Sequence, residues 1–147
     1  MARALITWGG WAGHEPEQVA GIFRAMLDGP GMDVTVADSL DVFDDAGALR
    51  DYDLIVPVWT MAELSKEAAQ NVSEAVARGT GLAGCHGGMC DAFRDSVLWE
   101  FITGGTWVAH PGGDGVEYTV NVKQSSSTLV AGIEDFQVAS EQYYLHV

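Results

Sequence analysis

The residues best suited to chemistry lie in a glycine-rich turn near the middle of the chain, Ala83-Gly84-Cys85-His86-Gly87-Gly88. A sharp strand-to-helix turn presents one side chain above a sheet, and small neighbours let the backbone bend tightly. The N-terminus of the following helix lowers a thiol pKa and offers backbone donors to an anion. Cys85 and His86 are therefore candidate catalytic residues. Either of the two could be the exposed residue of the turn, because periodicity does not distinguish the registers.

Two further histidines lie in loops that could face this turn. His14 and Glu15 follow the first apolar segment, where His14 could enter a site or simply cap a helix. Glu15 could orient His14 or act as a base towards Cys85, which makes it a candidate catalytic residue. His110 has glycine-rich flanks that would let it reach inward, although an ordinary surface loop would look the same.

Aromatic and polar residues at the two ends of the chain are candidates for substrate binding. Trp8 and Trp11 flank the first loop, and their rings could line a sugar pocket or belong to the core. Glu141 and Tyr143 lie in the last segment. Glu141 is a candidate acid–base group, and Tyr143 is a candidate for binding hydroxyl groups. Polar residues of an edge strand would give the same pattern.

The histidines also raise the possibility of a metal site. Neutral imidazole and carboxylate groups suit zinc, manganese or iron, so His14, His86 and His110 are candidate ligands of one divalent metal. No local spacing resembles a metal-binding motif, so these ligands would have to converge from distant loops. No nucleotide cofactor is expected.

The elements that must position these residues alternate between short apolar runs and helical patterns. The patterns predict strands at 4–8, 32–37, 54–58, 81–84 (buried) and 116–122, helices at 16–27, 65–78 and 96–102, and a turn at 125–127. This rhythm predicts an α/β fold with a parallel sheet and helices on both faces. Ligands of such sheets bind at the carboxyl ends of the strands, so the loops after Trp8, Val58 and Gly84 should share one face.

Composition limits the possible functions. The chain has 147 residues, 48% of them hydrophobic, and a formal net charge of −14, which fits one folded domain over 1–147. That charge argues against nucleic-acid and membrane-surface partners. There is no long apolar run and no signal peptide, so we expect a cytoplasmic protein with reduced cysteines. No feature identifies an oligomer interface.

A longer ordered set of residues resembles the ThuA-like (trehalose utilisation) family. It comprises Trp8-Gly9-Gly10, His14-Glu15, the segment from Cys85 to Arg94, Gly104-Gly105, His110-Pro111 and Glu141-Gln142-Tyr143. The resemblance implies a class I glutamine amidotransferase-like, flavodoxin-like fold with a doubly wound, mostly parallel sheet. It also implies a role in disaccharide or keto-sugar utilisation, and it places the family's histidine turn at His86, its loop histidines at His14 and His110, and its late acidic residue at Glu141.

The chain departs from that family in two respects. The family continues past the glutamate–tyrosine segment, so we expect the C-terminal strands to be missing here. The family pattern also does not require the thiol of Cys85.

The sequence therefore leaves three functions open. The leading one is an enzyme of isomerase or hydrolase type that acts on a disaccharide or keto-sugar derivative by histidine acid–base or metal-assisted chemistry. The second is a DJ-1/PfpI-type cysteine enzyme using Cys85, since Ala83 to Gly87 resembles that family's Ala-x-Cys-His-Gly turn. The third is a non-catalytic sugar-binding domain.

Overall fold

The computed structural model describes residues 1–123 and 127–147. Within them the strands and α-helices are β1 (Ala2–Gly10), α1 (Pro16–Leu27), β2 (Met32–Ala37), α2 (Ala46–Leu49), β3 (Leu54–Thr60), α3 (Lys66–Ala77), β4 (Gly81–Leu82), α4 (Gly87–Cys90), α5 (Val97–Thr103), β5 (Thr106–Ala109), β6 (Val116–Val120), β7 (Phe136–Ser140) and β8 (Tyr144–His146). Of the turn predicted at 125–127, only Ser127 lies within the described residues.

Four strands form a parallel sheet in the order β2-β1-β3-β4. From β1 the chain crosses to β2 on one side and then to β3 on the other. This confirms the predicted α/β fold with a parallel sheet. Because the strand order reverses between β1 and β3, the crevice at their carboxyl ends is where such a sheet binds ligands.

Helices cover both faces of this sheet. Successive side chains of each strand point to opposite faces, so each strand contributes to the packing on both sides. On one face Ile6 and Val56 pack with Ala20 of α1. On the other face Leu5 packs in a cluster with Val72 of α3 and Trp99 of α5, the latter 1% exposed. The prediction of helices on both faces is confirmed.

The helix starts follow local signals in the sequence. Pro16 occupies the first turn of α1, where its missing N–H is not needed. The Ser65 hydroxyl accepts a hydrogen bond from the Ala68 N–H at 3.0 Å and caps α3. Ser96 caps α5 in the same way through the Trp99 N–H. These caps fix where the helices that cover the sheet begin.

Four strands differ in extent from their prediction. β1 is longer, Ala2–Gly10 against 4–8, and β6 is shorter, Val116–Val120 against 116–122. β4 spans only Gly81–Leu82 and is not buried, because it lies at the edge of the described sheet. β3 extends two residues beyond Val58, to Thr60. Pro57 interrupts the apolar pattern, but it lies past the point where β4 pairs with β3, so its missing N–H breaks no bond to β4.

The described residues group into two compact units. The first comprises residues 1–107 with Val147, and the second comprises 108–146. In the second unit β6 and β7 pair antiparallel, with Val116 opposite Ser140 and Val120 opposite Phe136. The assignment of 1–147 to a single domain stays a prediction. Within residues 1–123 and 127–147, no helix combines the length and apolar character needed to cross a membrane.

Candidate functional site

The turn between β4 and α4 has its strained residue at His86. The backbone there has φ 52° and ψ −139°, a conformation that a side chain with a Cβ rarely adopts. Cys85 precedes this position and its side chain is exposed. The strained backbone thus lies at His86, and the side chains of Cys85 and His86 are both exposed, so neither of them packs beneath the turn.

Glycine at the start of α4 lets the turn sit directly on β3. A Cβ on Gly88 would lie 2.6 Å from the carbonyl oxygen of Pro57. A backbone carbonyl cannot move aside, so only glycine fits at this position. The close approach brings the His86 turn to the carboxyl end of β3.

The imidazole rings of His14 and His86 lie side by side. Their centroids are 4.4 Å apart and their planes are perpendicular. On His14 a second ring packs edge to face, since the centroid of Trp11 lies 4.7 Å away at 75°. The loop after β1 and the turn after β4 thus meet, as expected for loops at the carboxyl edge of a parallel sheet.

Thr60, the last residue of β3, anchors His14. Its Oγ1 lies 2.9 Å from Nδ1 of His14, and Thr60 is only 4% exposed. Thr60 pairs with Gly10 in the sheet, and its carbonyl oxygen accepts a hydrogen bond from the Trp11 N–H at 3.2 Å. Side chain and backbone of Thr60 therefore both hold the loop that carries His14.

These residues enclose a pocket of about 220 Å³. Its walls come from the first loop, the end of β3 and the His86 turn, and they are formed by Gly13, His14, Glu15, Pro16, Val19, Val58, Thr60, Cys85, His86, Gly87 and Gly88. Residues that carry two imidazoles, a hydroxyl, a carboxylate and a thiol thus line one small pocket together with apolar residues.

The two thiols in this region, Cys85 and Cys90, have raised pKa values. Partial burial raises the pKa of the Cys85 thiol above its ordinary value. Burial also raises the pKa of Cys90, opposed by a hydrogen bond with Thr103. The expectation that the helix N-terminus would lower the pKa of Cys85 is wrong, because α4 spans only four residues and desolvation disfavours the thiolate.

The remaining predicted residues of the first unit have different surroundings. Glu15 is exposed, directly precedes α1 as its N-cap residue and lines the pocket. Trp11 is 53% exposed beside His14. Trp8 is half-buried and packs against the cluster of Ile6 and Val58, so it does not line this pocket.

The predicted residues of the second unit contain one close pair. Nε2 of His110 and Oε1 of Glu141 lie 3.8 Å apart. The hydroxyl of Tyr118 donates to the backbone carbonyl of Glu141 at 2.8 Å and fixes the backbone there. Tyr143, two residues on, is half-buried.

The donor groups do not by themselves make a metal site. In the part of the chain that the structure describes, no three His, Cys, Asp or Glu side chains are grouped closely enough to hold a metal ion. A catalytic zinc site uses three protein ligands, and the pair His14 and His86 supplies two. Metal binding by His14, His86 and His110 therefore stays a prediction.

Sequence reasoning missed Thr60 and Tyr118. Their residue types are common in strands, and what distinguishes them is their partner, which the fold supplies from 46 and 23 residues away. For Thr60 one signal was available, because it ends a strand at the edge where ligands bind. The predicted strand ended at Val58, so Thr60 was not recognised as its last residue.

Comparison with known proteins gives three findings. A crystal structure of a ThuA-like protein from Bacteroides uniformis ATCC 8492 superimposes with a TM-score of 0.79 at 18% identity, covering 98% of this chain and 61% of that one. The likeness shows a shared fold, and the chain spans about three fifths of that protein's chain. No curated protein matches the sequence. The family described as "ThuA: Trehalose utilisation" matches residues 3–147. Since that match covers nearly the whole chain, this chain belongs to the ThuA family.

Proposed function

We propose that this ThuA-family chain is an enzyme of carbohydrate metabolism that acts on a disaccharide or keto-sugar derivative by histidine acid–base chemistry. The observation that carries the proposal is the pair of adjacent imidazoles, His14 and His86, in one pocket at the carboxyl edge of the sheet. The family's link to trehalose utilisation supports a sugar as the substrate.

Two imidazoles suit the reactions of a keto sugar. One removes a proton from the carbon next to the keto group, and the other donates a proton to the carbonyl oxygen. Imidazole serves both roles because it gains and loses a proton near neutral pH. Isomerisation and elimination share this first step, and neither needs an oxidant or a reductant.

Other proposed roles follow from residue chemistry. The exposed ring of Trp11 offers a flat apolar surface beside His14 on which a sugar ring could stack. Glu15 lines the same pocket and offers a carboxylate to sugar hydroxyls or to an imidazole. Glu141, Tyr143 and His110 are kept as proposed site residues on the family pattern alone.

The finer fold assignment is also a proposal. The strand order β2-β1-β3-β4, all parallel, supports a doubly wound flavodoxin-like or class I glutamine amidotransferase-like sheet.

The cysteine-enzyme alternative has less support. Cys85 lines the pocket and is exposed, as a nucleophile should be. However, the nucleophile of such enzymes is the thiolate, and the raised pKa of Cys85 disfavours it at neutral pH.

The proposal is tested by proton exchange in D₂O. Trehalose carrying one keto group is incubated with the chain, and ¹H NMR follows loss of the signal from the carbon next to that group. We expect catalysed loss that falls at least about a hundredfold in His14→Ala and in His86→Ala. His146→Ala, which removes a histidine outside this pocket, is the matched control.

The same variants separate the alternatives. Catalysis retained in both histidine variants but lost in Cys85→Ser would support cysteine chemistry. Binding of the keto sugar by His86→Ala, with no exchange in the parent protein, would support a non-catalytic sugar-binding domain. The metal-assisted mechanism is tested by measuring the metal content of the untagged parent protein and of His86→Ala by plasma mass spectrometry.

A further inference from the structure

We infer that Arg94 is a specificity-determining residue that binds an oxyanion, a carboxylate or a phosphate group, carried by the sugar substrate. Its guanidinium is held by two neighbouring side chains and has N–H donors to spare, at the same edge of the sheet as the pocket. The inference rests on the proposed function for the sugar part of the ligand, and on the geometry of Arg94 for the anionic part.

Two contacts hold the guanidinium of Arg94 in one orientation. Its Nε–H donates to Oδ1 of Asp91, a residue that is only 5% exposed. One face of the guanidinium stacks on the ring of Trp107, with Cζ 4.5 Å from the ring centroid. A planar group that is already oriented loses less conformational entropy when it binds a ligand, so Arg94 is prepared for recognition.

The same guanidinium has donors that the protein does not use. An arginine carries five N–H groups, and a bidentate pair with a carboxylate such as Asp91 takes two of them. Within residues 1–123 and 127–147, the Arg94 side chain makes no hydrogen bond, ion pair or ring contact beyond those with Asp91 and Trp107. The side chain is also 42% exposed. The remaining N–H groups are therefore available in the forked arrangement that matches carboxylate and phosphate oxygens.

The backbone places Arg94 near the pocket. α4 begins at Gly87, which lines the pocket, and ends at Asp91 as its C-cap residue. The Asp91 carbonyl accepts a hydrogen bond at 3.0 Å from the N–H of Met61, which directly follows Thr60. At about 1.5 Å of rise per residue, α4 is roughly 6 Å long. Only this short helix separates the Asp91–Arg94 pair from the pocket wall.

The charge of the chain makes such a contact selective. Against 7 lysines and arginines the chain has 21 acidic residues, so an anion is repelled from most of its surface. Asp91 offsets the charge of Arg94, and the gain therefore comes from directed hydrogen bonds between the guanidinium and the oxyanion. Hydrogen bonds to charged groups of this kind raise affinity by about tenfold or more.

The test is an NMR titration of uniformly labelled protein with glucuronate, glucose 6-phosphate and glucose. These probes share a sugar ring and differ in carrying a carboxylate, a phosphate or no charge. We expect an anionic sugar to shift the Arg94 Nε–H signal, assigned by through-bond NMR, and to bind about tenfold or more tightly than glucose. The anionic probe that binds more tightly identifies the group as carboxylate or phosphate.

Two arginine variants sharpen the test. Arg94→Lys keeps a positive charge beside Asp91 but lacks the planar fork, so the preference for the anionic sugar should fall to about twofold or less with the affinity for glucose unchanged. Arg24→Lys changes an exposed arginine of α1 in the same way and is the matched control, which should retain the preference.

Two results would overturn the inference: no tighter binding of the anionic sugars than of glucose in the parent protein, or an anion preference that survives in Arg94→Lys. The parent titration decides the matter even if Arg94→Lys does not fold, since an Arg94 signal that stays unchanged at saturation is contradictory by itself. Binding needs no turnover. An anionic sugar that binds at Arg94 without catalysed proton exchange would therefore contradict the proposed function alone, and exchange without an anion preference would contradict this inference alone.

Discussion

The site requires glycine at position 87, because there is no room for a side chain there. Alanine there would place a methyl group against Oγ1 of Thr60 and Cε1 of His14, at 2.5 Å and 3.1 Å. The two shortest contacts, at 2.5 Å and 2.8 Å, are both with the side chain of buried Thr60, so that side chain or the turn that carries residue 87 would have to shift. Crowding of this kind costs about 1–3 kcal/mol.

We therefore expect Gly87→Ala to lower the free energy of unfolding by about that amount, and to lower the rate of proton exchange in the keto sugar. Urea unfolding and the NMR exchange assay measure the two effects. Gly21→Ala is the matched control, since nothing lies within 4 Å of a Cβ on this α1 residue. It should be about 0.5–1 kcal/mol more stable than the parent. Equal behaviour of the two variants would contradict the steric argument.

Cys85 gives a prediction about pH. Burial raises its pKa, so at any pH near neutral the thiolate fraction is smaller than in an ordinary cysteine, and it grows only as pH rises past the usual thiol range. We expect iodoacetamide to leave Cys85 almost unlabelled at about pH 6, with the rate rising steeply above about pH 9.

The labelling is measured by mass spectrometry in Cys90→Ser, which leaves Cys85 as the single thiol of the chain. The double variant Cys85→Ser with Cys90→Ser is the blank. Stoichiometric labelling at the lower pH would instead favour the cysteine-enzyme alternative.

How much of the site the sequence could predict depends on how far apart along the chain the contacting residues lie. The His86 turn, His14 and the Ser65 cap were predictable, because glycine spacing, loop position and capping are local signals. The contact of Thr60 with His14 was not, because it joins residues 46 apart in the chain, which only the assembled sheet brings together. The pKa of Cys85 was predicted in the wrong direction, since burial is a property of the fold and not of the turn.

At the level of elements, α5 supports the short helix that follows the His86 turn. The indole Nε1–H of Trp99 donates to the Met89 carbonyl at 2.8 Å, and the Trp99 ring packs edge to face on Phe93 at 4.7 Å. With four residues, α4 has little hydrogen bonding of its own. The hydrogen bond from Trp99 therefore fixes Met89 of α4, three residues after His86.

Trp99→Phe keeps an aromatic ring but removes that donor and leaves the Met89 carbonyl without it. We expect a loss of about 1–3 kcal/mol in the free energy of unfolding, measured in urea. Phe101→Ala on the same helix is the control, because Phe101 is 81% exposed and its loss should change stability by no more than about 0.5 kcal/mol. A Trp99→Phe protein as stable as Phe101→Ala would show that the indole bond does not support α4.

At the scale of the whole molecule, the two compact units differ in what they bury. The first contains both core clusters, with Leu5, Ile6 and Ile55 almost fully buried in the sheet. In the second, none of the described residues between 108 and 146 is buried. Burial of apolar side chains is the main source of resistance to local opening, so the two units should open with different free energies.

We therefore expect amide hydrogen exchange to be much slower in β1 and β3 than in β6 and β7. Mass spectrometry of peptides from the exchanging protein measures this directly, and α3, which packs on the first core, serves as a second slow reference. Exchange in β6 and β7 as slow as in β1 would contradict the expectation and show that residues 108–146 open only together with the main sheet. In the expected case, His110 and Glu141 sit on a less stable part of the chain than His14 and His86. The acid–base pair of the proposed reaction is then the pair that the core of the protein holds in place.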